Sequence, residues 1–184
     1  MKMIVYYGST KKFDEFTIEM AVPQLPNGID TIGFWFTSDQ KAAKPFAIGT
    51  ETVIEKSKTE FWDDGEPKVV QFEKLVSGFI YKVFIDDPNL MEFASYQLFM
   101  EVRDQYCDYF GTGKRNLTWK DQATLLNKEE ANSLFRKNLI KKGFDGIVIR
   151  NMILKSDVTD LYCIFSKDAL YIADVSPVDD IGIN

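Results

Sequence analysis

Three consecutive aromatic residues, Phe34-Trp35-Phe36, follow Gly33 and lead into a short polar turn. Aromatic and β-branched residues favour strands, and we predict a strand from Asp30 to Phe36. Such a run fits a buried strand, and it equally fits one wall of a cleft for a flat, partly aromatic ligand. Either way, these large side chains must pack against something, and this requirement constrains the fold.

The chain that follows this strand has the pattern of a short helix. Thr37 or Ser38 can cap a helix that we predict from about Asp39 to Ile48. Pro45 lies inside that range, so we expect a kink or an irregular start there. The aromatic strand is therefore expected to pass almost directly into a helix.

The remaining sequence predicts more strands than helices. Strands are predicted at Met3–Tyr7, Glu66–Phe72, Ser77–Ile85, Ile147–Arg150, Asp160–Phe165 and Ala169–Val175, and helices at Met91–Phe110 and from Asn127 to about Lys142. The segment 49–65 has no clear pattern. Because strands and helices do not alternate regularly, we predict an α+β fold with mainly antiparallel sheets. Its 184 residues fit one domain, 1–184, with a helical block inserted at about 91–142.

The chain contains no histidine. This excludes Ser-His-Asp and Cys-His catalysis and histidine metal sites. The two cysteines, Cys107 and Cys163, lack the spacing of metal ligands, so we expect no metal. They are also too few for a disulfide scaffold, which favours a reducing, cytoplasmic compartment. Any chemistry must use carboxylates, Lys, Tyr, Cys, Ser, Thr or backbone groups.

The net charge of −6 argues against a dedicated nucleic-acid-binding protein, which would normally show a basic face. No apolar stretch approaches the length of about 18 residues that a membrane-spanning helix needs. The first residues also lack the apolar region of a signal peptide. We therefore expect no membrane association, and a nucleic-acid target is not favoured.

Three pieces of the sequence, in this order, resemble the ADP-ribosyltransferase family, in the branch shared by diphtheria-toxin-like and poly-ADP-ribose-polymerase-like enzymes. They are Tyr7-Gly8-Ser9-Thr10 at a strand end, Gly33 to Asp39 with Ala43 and Phe46, and Gly143 to Val148 followed by Leu161 to Phe165 with Leu170. The pattern is similar to small transferase-like domains of phage and mobile-element proteins. The pieces together extend from Tyr6 to about Val175.

The resemblance implies an ADP-ribosyltransferase-like fold, with two mainly antiparallel sheets around a ligand cleft. It implies a glycosyltransferase that uses NAD as its substrate and modifies a host macromolecule, in the host cytoplasm if the chain is phage-encoded. A host protein is the expected target. The implied NAD-binding residues are Tyr7, Gly8, Ser9, Thr10, Gly33, Trp35, Phe36, Thr37, Ala43 and Phe46, and the implied catalytic residues are Tyr7, Trp35 and Asp160.

The chain departs from the family at the catalytic positions. Tyr7 stands where such enzymes commonly have His, and Trp35 stands where they have Tyr. The position of the family's Glu falls on Leu161, and no Glu follows Glu130. Asp160 is the nearest acid, but neighbouring side chains of a strand point to opposite faces.

These departures leave three interpretations open. The chain is an active transferase with Asp160 as its acid, or it keeps the fold, has lost catalysis and acts as a binding or inhibitor protein against a host complex. The third interpretation is transfer chemistry with an acid from the Glu51–Glu73 region.

Overall fold

The computed structural model describes residues 2–17, 25–112, 128–154 and 157–178. Within these ranges, most elements are strands. The strands are β1 (Lys2–Ser9), β2 (Phe34–Thr37), β3 (Ile48–Phe61), β4 (Pro67–Ser77), β5 (Phe79–Asp86), β6 (Leu90–Phe93), β7 (Gly146–Leu154), β8 (Asp157–Ile164) and β9 (Leu170–Pro177). The helices are α1 (Gln40–Ala43), α2 (Tyr96–Thr112) and α3 (Lys128–Lys141), with 3₁₀ segments at Pro26–Ile32, Lys44–Phe46 and Lys167–Ala169. The predicted α+β class is confirmed.

Seven of these strands form one sheet, in the order β6-β7-β8-β2-β1-β5-β9. Every neighbouring pair in it is antiparallel except β6 and β7, which are parallel. Parallel neighbours need a crossover connection, and α2 and α3 lie in the chain between these two strands. The first strand of the chain, β1, lies inside the sheet, between β2 and β5.

Both faces of this sheet are covered by apolar side chains. On one face, Trp35 of β2 joins a buried cluster with Phe99 of α2 and Phe135 of α3. On the other face, Phe34 and Phe36 join a second cluster, which is rich in aromatic residues. Successive residues of a strand point to opposite faces. The aromatic run is therefore buried from both sides.

Strands β3 and β4 form a separate two-stranded ribbon. It runs from the Ile48–Ser77 pair to the Lys56–Val69 pair and, after an irregularity, ends near Phe61. Most of its side chains are exposed, including apolar ones on both faces. Because neither face of the ribbon is buried, apolar and polar residues do not alternate along its strands. The segment 49–65 therefore shows no clear strand pattern in the sequence.

The predicted strand from Asp30 to Phe36 is wrong in its first half. Residues Pro26–Ile32 form a 3₁₀ segment, and the strand begins at Phe34. The 3₁₀ conformation is held by side chains from elsewhere: Asn132 donates to the carbonyl of Gly28 at 2.8 Å, and the Trp35 indole donates to the carbonyl of Ile29 at 3.0 Å. These partners satisfy backbone groups that a strand would have paired in the sheet.

The helix predicted from about Asp39 to Ile48 is present but shorter: α1 covers Gln40–Ala43, and Ile48 already belongs to β3. Its cap is also a different residue. The Asp39 carboxylate accepts from the amides of Lys41 at 2.8 Å and Ala42 at 3.1 Å, so neither Thr37 nor Ser38 caps it. At Pro45 the helix passes into the 3₁₀ segment Lys44–Phe46, which is the irregularity expected from proline.

The helical block predicted at about 91–142 does not begin as a helix. Leu90–Phe93 is strand β6, which pairs in parallel with β7, and α2 starts at Tyr96. Phe93 is 2% exposed, so this segment is buried in the sheet, where the sequence predicts the first turn of a helix from Met91. The predicted capping residue Asn127 lies outside the described residues.

Candidate functional site

The seven-stranded sheet opens between β1 and β2. In the described chain these antiparallel strands share one registered pair, Tyr6 with Thr37. Beyond that pair, β1 continues along β5 as far as Ser9, and β2 continues along β8 back to Phe34. The two strands therefore diverge, and their edges face each other across a gap.

A cleft with an empty volume of ≈ 630 Å³, part of it open to solvent, occupies this gap. Eight of the ten NAD-binding residues implied by the sequence line it: Tyr7, Gly8, Gly33, Trp35, Phe36, Thr37, Ala43 and Phe46. Two motifs that are well separated in the chain therefore meet at one cleft.

Ser9 and Thr10, the other two, are not among the described lining residues. The Ser9 hydroxyl accepts from the amide of Lys11 at 3.1 Å. Thr10 lies against the start of the ribbon, where a Cβ added at Gly49 would come within 2.9 Å of its methyl carbon. Ser9 is the last residue of β1, and Thr10 follows it directly.

Gly8 brings a helix to the cleft. A Cβ at this position would lie 2.1 Å from the carbonyl oxygen of Ala43 and 2.9 Å from the amide nitrogen of Ala47. The absence of a side chain therefore lets α1 and the following 3₁₀ segment lie directly on β1. This close approach places Ala43 and Phe46 at the cleft beside Gly8.

Trp35 lines the cleft from within the core. The residue is 8% exposed, and its indole meets Phe99 edge-to-face at 6.2 Å between ring centroids. Its Nε1 donates to the carbonyl of Ile29 at 3.0 Å. Phe46 packs against the same cluster. The indole ring of Trp35 is therefore fixed in place before any ligand binds. The expectation that Trp35 and Phe46 enclose a nicotinamide ring stays a prediction.

The cleft also contains a carboxylate that the sequence predictions missed. Asp30 lines it and is 7% exposed, and its Oδ1 accepts from the amide of Leu25 at 2.9 Å. We had placed Asp30 at the start of a strand. The turn-forming Gly28, two residues earlier, was the signal that argues against an extended conformation there.

Asp160 lies outside the group of described residues that line the cleft. Its Oδ2 accepts from Arg150 Nη1 at 2.7 Å, its Oδ1 accepts from the amide of Asn151 at 3.1 Å, and it is not among the described lining residues. Arg150 also pairs with Glu92 at 2.7 Å, and these two partners raise the pKa of the guanidinium. Leu161, the next residue, does line the cleft. Asp160 and Leu161 thus point to opposite faces, and this placement does not favour Asp160 as the acid.

The acids of the Glu51–Glu73 region lie on and around the β3–β4 ribbon. None of them is among the described residues that line the cleft. The described residues also contain no group of three or more His, Cys, Asp or Glu side chains placed to hold a metal ion.

Burial in and beneath the cleft raises the pKa of two acidic groups. Burial, then the nearby Tyr81 and Asp30, raises the pKa of the Tyr7 phenol above its usual 10.0. Burial also raises the pKa of the Cys163 thiol well above its usual 9.0, partly opposed by Arg136. In the folded protein these groups keep protons that the unfolded chain loses, so their contribution to stability is complete below the unfolded pKa and is lost as the pH rises.

We therefore expect the free energy of unfolding to fall from about pH 8.5 upwards, with a limiting slope of about 1.4 kcal/mol per pH unit for each group. Urea unfolding at several pH values between about pH 7 and pH 11 measures this slope. The Cys163→Ala variant should show a shallower slope, whatever its stability at neutral pH. Equal slopes in the two proteins would contradict the assignment.

Comparison with protein-family models, curated proteins and solved structures finds no significant match to this chain. Among the helices that the structure describes, none is long and apolar enough to cross a membrane.

Proposed function

We propose that this chain is an NAD-dependent mono-ADP-ribosyltransferase that acts in the cytoplasm, that of a host if the chain is phage-encoded, on a host protein. One observation carries the proposal: the Tyr7-Gly8 and Gly33-Trp35 motifs, which belong to separate parts of the resemblance, line one cleft. The resemblance requires the two motifs to meet, and they do so because β1 and β2 are neighbours in the main sheet.

The chemistry fits the groups that the cleft offers. ADP-ribosyl transfer breaks the bond between the nicotinamide nitrogen and C1′ of the ribose through an oxocarbenium-like state, as in glycoside cleavage. The bonding electron pair leaves with nicotinamide, and the acceptor nucleophile bonds to C1′ and releases its proton. Aromatic side chains offer stacking surfaces to the ring. The diverging edges of β1 and β2 offer backbone groups to its carboxamide.

A second function is a protein with this fold that binds a host complex without turnover. Two observations favour it: Leu161 occupies the position of the family's Glu, and Asp160 is held by Arg150 in an ion pair. Labelled NAD incubated with the protein and a host lysate separates the two functions. Label on a protein supports the transferase, whereas no transfer supports the binding protein.

Phe46→Ala tests the cleft itself. Phe46 is half-buried in the cleft wall, so its removal should weaken NAD binding at least about tenfold, the loss expected for a stacked ring and its buried area. Isothermal titration calorimetry measures the affinity. Phe72→Ala, which removes the same side chain from the exposed ribbon, is the matched control and should bind NAD as the wild type does. Equal affinities for all three proteins would place NAD elsewhere, and no binding by the wild type would reject the transferase.

A further inference from the structure

Among its described lining residues, the cleft combines many aromatic side chains with one carboxylate. Of its fifteen described lining residues, seven are aromatic and one, Asp30, is a carboxylate. No lysine or arginine is among them. A site of this composition is complementary to a flat ligand that carries positive charge, because aromatic side chains favour contact with flat rings and a carboxylate attracts cations.

The position of Asp30 is fixed by contacts on both sides along the chain. Before it, the amide of Leu25 donates to its Oδ1 at 2.9 Å. After it, the Thr31 hydroxyl accepts from Asn132 Nδ2 at 2.7 Å. The carbonyl of Ile29, directly before Asp30, accepts from the Trp35 indole at 3.0 Å. The same interactions that hold the aromatic wall therefore hold the carboxylate.

The surroundings of Asp30 increase the effect of its charge. The residue is 7% exposed, so water screens the charge less than at an open surface. Tyr7, another lining residue, is close enough for this charge to contribute to the raised pKa of its phenol, after burial and Tyr81. Tyr7 consequently stays neutral around neutral pH, and Asp30 is the one acidic or basic side chain that carries charge among the described lining residues.

We propose that Asp30 determines the specificity of the cleft for the oxidised, positively charged nicotinamide ring, so that NAD⁺ is bound in preference to NADH. This inference rests on the proposed function, because it concerns the same cleft and the same ligand. It adds a residue that the resemblance did not imply, and a role that is independent of turnover.

Calorimetric titration of the full chain with NAD⁺ and with NADH tests the inference. The wild type should bind NAD⁺ about tenfold more tightly than NADH, or more. Asp30→Asn keeps the size of the side chain and removes its charge, so it should weaken NAD⁺ binding by about tenfold and change NADH binding little. Asp86→Asn, at the exposed end of β5, is the matched control and should keep the wild-type preference.

A second measurement needs no variant. The 1-methylnicotinamide cation and neutral nicotinamide share a ring and differ in charge, and the wild type should bind the cation about tenfold more tightly. If Asp30→Asn does not fold, as judged by circular dichroism, Asp30→Glu replaces it and should keep the preference for NAD⁺.

The outcomes separate this inference from the function on which it rests. A wild type that binds neither nucleotide overturns both. A wild type that binds NAD⁺ but not in preference to NADH, or an Asp30→Asn variant that keeps the full preference, overturns the role of Asp30 and leaves the proposed function standing. Equal affinities for the cation and for nicotinamide overturn it as well.

Discussion

The Asn132→Leu variant is expected to lose about 3 kcal/mol of its free energy of unfolding, since hydrogen bonds to a buried charged group contribute about 1.5–3 kcal/mol. Asn132 is 0% exposed, and its Oδ1 accepts from Arg103 Nε at 3.0 Å and from Nη2 at 2.9 Å. Its Nδ2 donates to the carbonyl of Gly28 at 2.8 Å and to the Thr31 hydroxyl at 2.7 Å. One side chain thus joins α2, α3 and the 3₁₀ segment that carries Asp30.

Most of the expected loss comes from Arg103, which is 6% exposed and would keep its ion pair with Asp104 at 3.0 Å but lose the acceptor for its Nε and Nη2 groups. Removing the charge as well should relieve that cost, so the double variant Asn132→Leu with Arg103→Met should be more stable than the sum of the two single losses predicts. Urea unfolding of the four proteins measures this coupling. Lys137→Leu, an exposed change on the same helix, should shift stability by no more than about 0.5 kcal/mol. Additive losses would contradict the network.

Gly8→Ala is expected to destabilise the protein by about 3 kcal/mol, at the upper end for overpacking, because the atoms that its Cβ meets cannot rotate away. The nearest are the carbonyl oxygen of Ala43, at 2.1 Å, and the amide nitrogen of Ala47, at 2.9 Å. To admit the methyl group, α1 must move off β1 and take Phe46 with it. We therefore expect weakened NAD binding together with the lower melting temperature.

Gly49→Ala is the matched control for this variant. The atom nearest to its Cβ, at 2.9 Å, is a methyl carbon of Thr10, which is the end of a side chain and can move. Differential scanning calorimetry of the two variants compares a backbone obstacle with a side-chain obstacle. Similar melting temperatures for the two variants would show that α1 does not rest on β1 as described.

The strands of the main sheet were predictable because their sequences are locally consistent. The runs of β1, β5 and β7 consist largely of β-branched and aromatic residues, and all three strands are present. The segment Pro26–Ile32 was not predictable in this way, because its partner Asn132 is 104 positions from Gly28. Local pattern carries no information about a hydrogen bond made over such a distance.

The residues of the candidate site also differ in whether local sequence predicts them or long-range contacts place them. Tyr7, Gly8 and Trp35 lie on strands and Gly33 directly precedes β2, and these four residues, on which the family resemblance partly rests, line one cleft. Asp30 lies on the segment Pro26–Ile32, which long-range contacts hold, and no local pattern predicts a role for it. The prediction that Asp160 is the acid rests on its place next to the expected position in the sequence, although the alternation of β8 points its side chain towards Arg150.

The order of strands in the main sheet has a consequence for the synthesis of the protein. Strand β2 pairs with β8, so Phe34 cannot pair until Ile164 has been synthesised. Likewise, β1 cannot pair with β5 until β5 has been synthesised. A ribosome releases the aromatic run of β2 long before its partner exists, and contacts between distant parts of a chain form slowly. During synthesis, three large aromatic side chains and an unpaired edge are therefore open to other chains. The yield of folded protein in a cell should then depend on translation speed and chaperone supply more than on the stability of the finished sheet.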